Sequence, residues 1–403
     1  MKVVYTLRLL NLAANPISDL QGVNAKIAGY IWAHYPDNVS SFAIGNEPDW
    51  HSYHSWPGNP NDPAIFEDAA DAPPGSAYPS YLTHWRSFAD AVRAAAPGAP
   101  VSGPDLGAYD SSTFTPDHTG MSWTRRLATD EQHSGRVAEV SQHYYVGGSV
   151  KATTVAQAIS NMLSPQWVTA TEIGTDLPPP DTPYTPYPWL HANNLAPVIQ
   201  AGLRYRLTES NDYLVGVPGA SDNYASALWA LDHLHWWAAN GCAGVNFHNK
   251  LPLATDTIVP NKDGSGCVIN PKGYGIAAFT LGSAGQVKPV SIQNPNGVNL
   301  TAYCVGSAGE NYVTIINKAH GANPPDAAVT IVAPGPVARG AQVMTLAGAQ
   351  RGDAQGTTVT LGGATITGDA PWNGTWSTVT PGPGSRISLT VEATTAAIVR
   401  ISS

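Results

Sequence analysis

Cysteine is scarce in this chain of 403 residues, which has only Cys242, Cys267 and Cys304. Their spacing matches neither a disulfide framework nor the paired cysteines of a zinc site. The sequence leaves open whether one disulfide or three thiols are present. Since the hydrophobic fraction of 43% is ample for a large core, a fold that depends on packing rather than on cross-links is expected.

Positive charge is also in short supply. There are 20 Lys and Arg residues against 29 Asp and Glu residues, which gives a formal net charge of −9. Nucleic acids and anionic membranes need a basic patch, so this balance argues against both as partners. No apolar run is long enough for a transmembrane helix and no signal peptide is visible, so membrane insertion is not expected. A small anionic substrate needs only local positive charge and is not excluded.

Tryptophan, tyrosine, glycine and proline are abundant. The chain has 12 Trp and 17 Tyr residues against 6 Phe, together with 39 Gly and 34 Pro. Amphipathic rings suit a wet cleft in which they stack on sugars, although a core rich in Trp explains the same bias. The length is typical of two domains.

Strand and helix patterns alternate over the first part of the chain, which is typical of a parallel α/β fold. Strand patterns begin near residues 3, 41, 101, 137, 203 and 243, and helical patterns cover 19–34, 78–96, 120–130, 189–200, 223–239 and 273–281. A closed (β/α)8 TIM barrel needs eight such units. We therefore expect a barrel domain over residues 1–284 that lacks its first two βα units, which would precede Met1.

Residues 285–403 have a different pattern. Short alternating segments at 299–302, 312–316, 328–332, 357–361 and 387–391 are separated by turns rich in Gly, Pro, Asn and Asp. Helical periodicity is lost. This predicts a second domain, a C-terminal antiparallel β-sandwich.

Two strand patterns of the first domain end on a carboxylate, Glu47 and Glu209. A (β/α) barrel keeps its catalytic groups at the C-terminal ends of its strands, so we expect these two residues to face each other across one site. Glycoside hydrolysis needs such a pair, separated by ~5–5.5 Å in retaining enzymes. Arg206, which precedes Glu209 on the same strand, is expected to keep Glu209 ionised.

The chain resembles glycoside hydrolase family 79, a clan A group that contains β-glucuronidases and heparanases. Four segments carry the resemblance: Ile-Gly-Asn-Glu-Pro-Asp (44–49), Gln-His-Tyr-Tyr (142–145), Tyr-Arg-Leu-Thr-Glu-Ser-Asn (205–211) and Gly-Ala-Ser-Asp-Asn-Tyr-Ala-Ser-Ala-Leu-Trp-Ala-Leu-Asp (219–232), followed by Gly-Val-Asn-Phe-His (244–248). It implies a retaining exo-β-glucuronidase that cleaves terminal β-linked uronic acid, with Glu47 as acid/base and Glu209 as nucleophile. It also implies a carbohydrate as partner and a secreted or periplasmic location.

The resemblance also suggests substrate-binding residues. Asn46 is expected to bind the sugar 2-hydroxyl, a contact that strengthens in the transition state. Tyr145, with Tyr144 as the alternative, takes the place of the clan's aromatic hydroxyl that donates to the nucleophile. The other candidates at the mouth of the site are His143, Tyr213, Gly216, Asn246, His248 and Lys250. Lys250 is the candidate cation for a uronate carboxylate, and a plain surface lysine is the alternative.

Two other functions stay open. Uronate-active relatives usually have Tyr-Gly-Gly shortly after the nucleophile, whereas this chain has Tyr-Leu-Val-Gly at 213–216. This departure favours a clan A exo-glycosidase that acts on neutral β-glycosides. The other alternative is an inactive or carbohydrate-binding remnant, because a barrel that lacks two units has open strand edges.

Several conspicuous residues are assigned structural roles. Glu172 ends an apolar run but lies in a proline-rich stretch, 165–188, with no helix after it, so it is a weaker candidate nucleophile. Glu139 is expected to be structural. His51, Tyr53, His54 and His84 lack the spacing of metal ligands, and neither a metal nor a cofactor is expected. The set Trp229, Trp236 and Trp237 is expected to pack against the barrel, and the loop 49–76 to wall the cleft.

Overall fold

The computed structural model describes residues 2–9, 17–48, 77–107, 122–146, 154–173, 185–307, 309–333, 340–368 and 370–402. The loop 49–76, which was predicted to wall the cleft and contains His51, Tyr53 and His54, lies outside these ranges.

A parallel sheet of six strands organises the first part of the described chain, and neighbours in the sheet are also neighbours in sequence. The strands are β1 (Val3–Leu7), β2 (Val39–Ile44), β3 (Val101–Leu106), β4 (Val137–Tyr145), β5 (Arg204–Asn211) and β6 (Cys242–Phe247). The sheet curls into a half-barrel. Because the strands run in one direction, their carboxyl ends meet at one edge. Each predicted strand position lies in one of these strands or within a residue of it.

Helices connect and cover these strands. They are α1 (Leu20–His34), α2 (Ala77–Ala95), α3 (Trp123–Glu131), α4 (Val155–Met162), α5 (Gln166–Thr169), α6 (Tyr187–Leu190), α7 (Ala196–Gln200), α8 (Tyr224–Ala239) and α9 (Pro271–Gly282), with a 3-10 turn at Pro36–Asn38 and a π-helical turn at His191–Leu195. Among the described helices, none has the length and apolar character that crossing a membrane requires. Helix α8 buries every residue from Tyr224 to Trp237, as expected of a helix without a polar face.

The proline-rich stretch 165–188 contains helical segments within its described residues, 165–173 and 185–188. It contains α5 and the beginning of α6, and Pro165 and Pro186 occupy the position just before each helix. Proline is well tolerated where a helix begins, because its missing N–H needs no partner there and its φ is already helical. Pro165 and Pro186 therefore mark helix starts.

Antiparallel strands make up the C-terminal part. They are β9 (Gln286–Lys288), β10 (Leu300–Ser307), β11 (Glu310–Asn317), β12 (Ala327–Val332), β13 (Ala341–Gly348), β14 (Val359–Leu361), β15 (Ser377–Val379), β16 (Arg386–Val391) and β17 (Thr395–Ser402), and a hairpin of β7 (Ile258–Pro260) and β8 (Cys267–Ile269) precedes α9. In the described residues, seven of them form one sheet in the order β14-β13-β17-β11-β10-β9, with β15 beside β13, and β12 pairs with β16.

The large C-terminal sheet buries apolar residues on both faces. Along β11 and β17, Ile315 and Val399 pack in a cluster with residues of β12 and β16, which gives the sandwich. Their sequence neighbours Ile316 and Ile398 belong instead to the core that contains α8 and the half-barrel. This follows from the period of two along a strand. The domain boundary near residue 284 stays a prediction, because one core extends across it.

Candidate active site

The period of two along β4 brings a row of polar side chains to the inner face of the half-barrel. Glu139, Ser141, His143 and Tyr145 alternate along the strand and contact, respectively, Arg206, Asp105, Glu47 and Glu209. Three of these contacts reach the adjacent strands β3 and β5, and the contact with Glu47 reaches the end of β2, two strands away. The row therefore runs from a deep ion pair to the carboxyl edge of the sheet.

Tyr144 lies on the opposite face of the same strand and does not join the carboxylates. Its hydroxyl donates to the carbonyl of Thr185, and its ring contacts Tyr187 and Trp237. Burial raises the pKa of this hydroxyl well above its ordinary value. The alternation of a strand separates two adjacent tyrosines that sequence alone treats as near-equivalents, and Tyr145 is the one beside Glu209.

A β-bulge aims Glu209 at the site. Gln142 of β4 pairs with Leu207 of β5, but the next residue, His143, pairs with Glu209, so Thr208 is an extra residue in β5. Thr208 donates from Oγ1 to Asp105, and Glu209 accepts from Tyr145, so two consecutive residues face inward. A bulge commonly re-aims a side chain in this way.

Arg206 lies deeper than Glu209 and binds a different carboxylate. Its Nε donates to Glu139 over 2.7 Å, and its terminal nitrogens lie 3.4 Å from Ser40 Oγ and from Asn246 Oδ1. The expectation that Arg206 keeps Glu209 ionised is therefore not met by this geometry. Glu139 has the structural role expected of it, and Asn246 belongs to this deeper layer.

Glu47 follows β2 in a strained backbone conformation. Its φ is 49°, in the left-handed region, and the φ of Asp105, the second-last residue of β3, is 53°. The two are joined, since the Glu47 N–H donates to the Asp105 carbonyl over 2.8 Å. Non-glycine residues rarely adopt this region, and such strain clusters at functional sites.

His143 bridges the carboxylates. Its Nδ1 lies 3.0 Å from Glu47 Oε1 and 3.9 Å from Glu209 Oε2, while its Nε2 lies 3.9 Å from Asp105 Oδ1. Burial lowers the pKa of His143, but the hydrogen bond to Glu47 and the nearby negative charges outweigh it and raise the pKa to about 9. The imidazolium thus compensates a site that would otherwise be strongly negative.

Glu209 has a second set of partners on its other side. The Tyr145 hydroxyl donates to Glu209 Oε1, and His248 Nδ1 lies 3.0 Å from that hydroxyl and 3.8 Å from Glu209 Oε1. The side chain of Glu209 is 24% exposed and that of Glu47 is 10% exposed. Both carboxylates are therefore held by the protein, and Glu209 is the more open of the two.

The same cluster has the residue types of a metal site. One atom each from Glu47, His143 and Glu209 lies within 4.8 Å of the others, so these residues could approach a common ion. A metal ion would have to displace the proton of His143, whose pKa is raised to about 9.

The other predicted rim residues are dispersed. Tyr213 is buried, and its hydroxyl donates to Ala158 and accepts from Asn161 in α4. Gly216, at φ 76°, packs so closely on Thr255 that a Cβ would lie 2.8 Å from its backbone nitrogen. Asn46 and Lys250 have exposed side chains.

Asp105 and Thr208 are site residues that sequence reasoning missed. Burial raises the pKa of Asp105, while His143 and the hydroxyl of Thr208 act against that rise. Asp105 closes a strand pattern just as Glu47 and Glu209 do, so the same signal was available. Glu172 lies in a bend after the short helix α5 rather than at a strand end.

No protein-family model matches the chain, and no curated protein matches it significantly. Solved structures do. A 4-O-α-L-rhamnosyl-β-D-glucuronidase from Fusarium oxysporum 12S is 18% identical, with a TM-score of 0.65 over 94% of this chain and 74% of its own. The bifunctional glucanase-xylanase CelM2 from a metagenome library is 17% identical, and it matches with a TM-score of 0.62 over 95% of this chain and 69% of CelM2. A family 44 xyloglucanase from Paenibacillus polymyxa is 16% identical, and it matches with a TM-score of 0.58 over 94% of this chain and 70% of the xyloglucanase. At these identities the finding is a shared fold, that of glycoside hydrolases with a TIM-barrel-like domain.

Proposed function

We propose that the protein is a retaining glycoside hydrolase with Glu209 as nucleophile and Glu47 as general acid/base. The observation that carries the proposal is the proximity of the two carboxylates, since one oxygen of Glu47 and one of Glu209 lie within 4.8 Å of each other. Retaining enzymes have a separation of ~5–5.5 Å, whereas inverting enzymes need ~6.5–9.5 Å to admit a water molecule between sugar and base. The shared fold with glycoside hydrolases supports the same conclusion.

The geometry suits a double displacement. In the first step Glu209 attacks the anomeric carbon while Glu47 gives a proton to the leaving oxygen, and a glycosyl-enzyme ester forms. In the second step Glu47 takes a proton from water, which cleaves the ester. In the resting site the proton lies on His143, and Glu47 receives it along their hydrogen bond of 3.0 Å before giving it to the leaving oxygen. The Tyr145 hydroxyl orients Glu209 for the attack.

For the substrate we propose a terminal β-linked glucuronide. The support is the resemblance to family 79 and the shared fold with a rhamnosyl-glucuronidase. A uronate carboxylate in a partly dry cleft needs a compensating cation, and Lys250, exposed after β6, is the candidate.

A neutral β-glycoside is the second candidate, and two observations favour it. The Tyr213 hydroxyl, expected at the uronate carboxylate, is already bonded to Ala158 and Asn161. Three carboxylates around His143 would also repel a charged sugar more than a neutral one.

The roles of the two glutamates are tested with aryl β-glycosides. Glu209→Gln should abolish turnover of glucuronide, glucoside and xyloside alike without loss of folding. Glu47→Gln should spare substrates with good leaving groups, which need little protonation. The configuration of the first product, followed by NMR, should be retained. Glu172→Gln is the matched control and should behave as wild type. Inversion of configuration, or a dead Glu172→Gln beside an active Glu209→Gln, would contradict the proposal.

The charge of the sugar is tested at Lys250. Lys250→Ala should raise KM for the glucuronide by roughly one to two orders of magnitude, as expected for a charged contact, and leave a glucoside nearly unchanged. Lys262→Ala, which removes another exposed lysine, is the control. Equal losses on both sugars would give Lys250 a structural role and favour the neutral substrate.

A further inference from the structure

A lysine without solvent exposure lies behind the proposed site. Lys272 is the second residue of α9 and is 0% exposed. Its Nζ donates to Asn211 Oδ1 over 2.6 Å and to the Thr255 carbonyl over 2.7 Å, and it lies 3.7 Å from Asp212 Oδ1. Asn211 ends β5 and Asp212 follows it, while Thr255 belongs to the loop after β6, so this cation ties two loops at the carboxyl edge of the sheet.

The surroundings of Lys272 are energetically unfavourable for a positive charge. It is dehydrated and stands at the N-terminus of a helix, whose dipole disfavours positive charge. Burial lowers the pKa of Lys272, and Asp212 and Asp256 oppose that change. The rings of Trp229 and Phe247, 5.8 and 5.9 Å from Nζ, add cation–π contacts. A buried ion pair is often no more stabilising than apolar residues of the same size. Stability alone therefore does not explain why a lysine is present at this position.

A chain of hydrogen bonds connects Lys272 to the nucleophile. Asn211, which accepts from Lys272, donates from Nδ2 to the His248 carbonyl over 2.7 Å. The His248 N–H donates to the Ser210 carbonyl over 3.1 Å, so both backbone groups of His248 are held. The ring of His248 then lies 3.0 Å from the Tyr145 hydroxyl.

We propose that Lys272 is a positioning residue for the nucleophile. It orients Asn211, Asn211 fixes the backbone of His248, and the His248 ring holds the Tyr145 hydroxyl on Glu209. The catalytic consequence rests on the proposed function of Glu209. The placement of His248 does not, and it can be measured separately.

The test uses a variant that removes the cation and its counter-charge together. Lys272→Met with Asp212→Asn removes one positive and one negative charge, so the net charge beside the buried Asp256 does not change. The matched control is Lys318→Met with Asp232→Asn, a buried pair outside the hydrogen-bond chain. The first variant should lower kcat by roughly 10- to 100-fold, the effect of a misplaced group, with KM nearly constant. The control should keep kcat at temperatures where it is folded. In a crystal structure of the first variant, the Tyr145 Oη to His248 Nδ1 distance should exceed the 3.0 Å seen here.

A second variant separates positioning from folding. Asn211→Leu keeps Lys272 and Asp212 but breaks the link to His248, so it should reproduce the loss of kcat. Its effect should not add to that of the first variant, because both interrupt one chain. If the Lys272 variant does not fold, Asn211→Leu decides the question alone.

Three results would overturn the inference: an unchanged kcat with His248 in place, an equal loss of kcat in the Lys318 control, or full additivity with Asn211→Leu. If the wild-type protein hydrolyses none of the glycosides, the proposed function fails, and the position of His248 in the variant then decides the inference by itself.

Discussion

At the scale of single residues, His143 determines the electrostatics of the candidate site. Glu47, Asp105 and Glu209 all lie within 3.9 Å of its ring nitrogens. Three carboxylates at such distances repel one another unless a proton or cation lies among them. The imidazolium meets that need from inside the protein.

A pH dependence of stability follows. The pKa of His143 is raised from 6.5 to about 9 in the folded protein, so the folded state holds this proton more tightly than the unfolded state. The resulting stabilisation is complete below pH 6.5 and is lost as the pH rises through 9. We expect the free energy of unfolding to fall by up to about 3 kcal/mol over this range, beyond the change seen in His143→Gln. Denaturant titrations at stepped pH measure it, with the exposed His84→Gln as control. Parallel curves for wild type and His143→Gln would refute this.

The residue types of the site were predictable, but their partners were not. Glu47 and Glu209 follow from motifs at strand ends, whereas the choice of Tyr145 over Tyr144 needs the facing of β4. Arg206 illustrates the limit. Its charge suggested a partner in Glu209, three residues on in sequence, but the partner is Glu139 on the adjacent strand. Such contacts depend on strand register, which a single sequence does not reveal.

At the scale of elements, the bulge in β5 decides which way Glu209 faces. If β5 continued as a regular strand through Thr208, the side chain of Glu209 would point to the helices, because successive residues of a strand alternate between its two faces. The sequence near Thr208 has no glycine or proline to signal a bulge. The strand itself was predictable from its β-branched and aromatic residues, and the irregularity that makes it useful was not.

The contact between helices α8 and α9 makes a sharp prediction. A Cβ on Gly275 would lie 2.1 Å from the Ala227 carbonyl oxygen, which is backbone and cannot turn away. Gly275→Ala should therefore destabilise the protein by ~1–3 kcal/mol through overpacking. Gly356→Ala is the control, since its nearest atom is a side-chain oxygen of Asp353 at 3.2 Å. Equal unfolding midpoints for the two variants would show that the helices separate without cost.

At the scale of the whole molecule, one buried ion pair joins α8 to the C-terminal sheet. Asp232 accepts from Lys318 over 2.6 Å and from the hydroxyls of Thr301 and Tyr303 on β10, each over 2.7 Å. Burial raises the pKa of Asp232, but Lys318 and these hydroxyls outweigh it and lower the pKa.

The sign of the acid dependence follows from that lowered pKa. Its stabilisation is present above pH 3.8, the ordinary value, and is lost as the pH falls below it. At neutral pH, Lys318→Met should cost ~3–5 kcal/mol, because it leaves Asp232 buried and unpaired, and adding Asp232→Asn should recover much of this loss. Thermal unfolding between pH 3 and 7 compares them. If the double variant were no more stable than Lys318→Met alone, the loss of stability would not come from leaving Asp232 unpaired.

The sequence predicted the sandwich from its alternation but not how it docks. Both faces of the large sheet are apolar. The sequence pattern therefore does not reveal which face packs against β12 and β16 and which packs against the helices. The pairing of Asp232 with Lys318, 86 residues apart, was equally hidden.

The core shared by the two parts limits how this protein could be recombined. Ile316, Met344 and Ile398 of the C-terminal sheet are buried in the same cluster as α8 and α9. A gene fusion cut where the sequence pattern changes would expose that surface on both products. We therefore expect the C-terminal sheet to be inherited together with the half-barrel, and its residues facing α8 and α9 to vary in concert with those helices rather than with other sandwich domains.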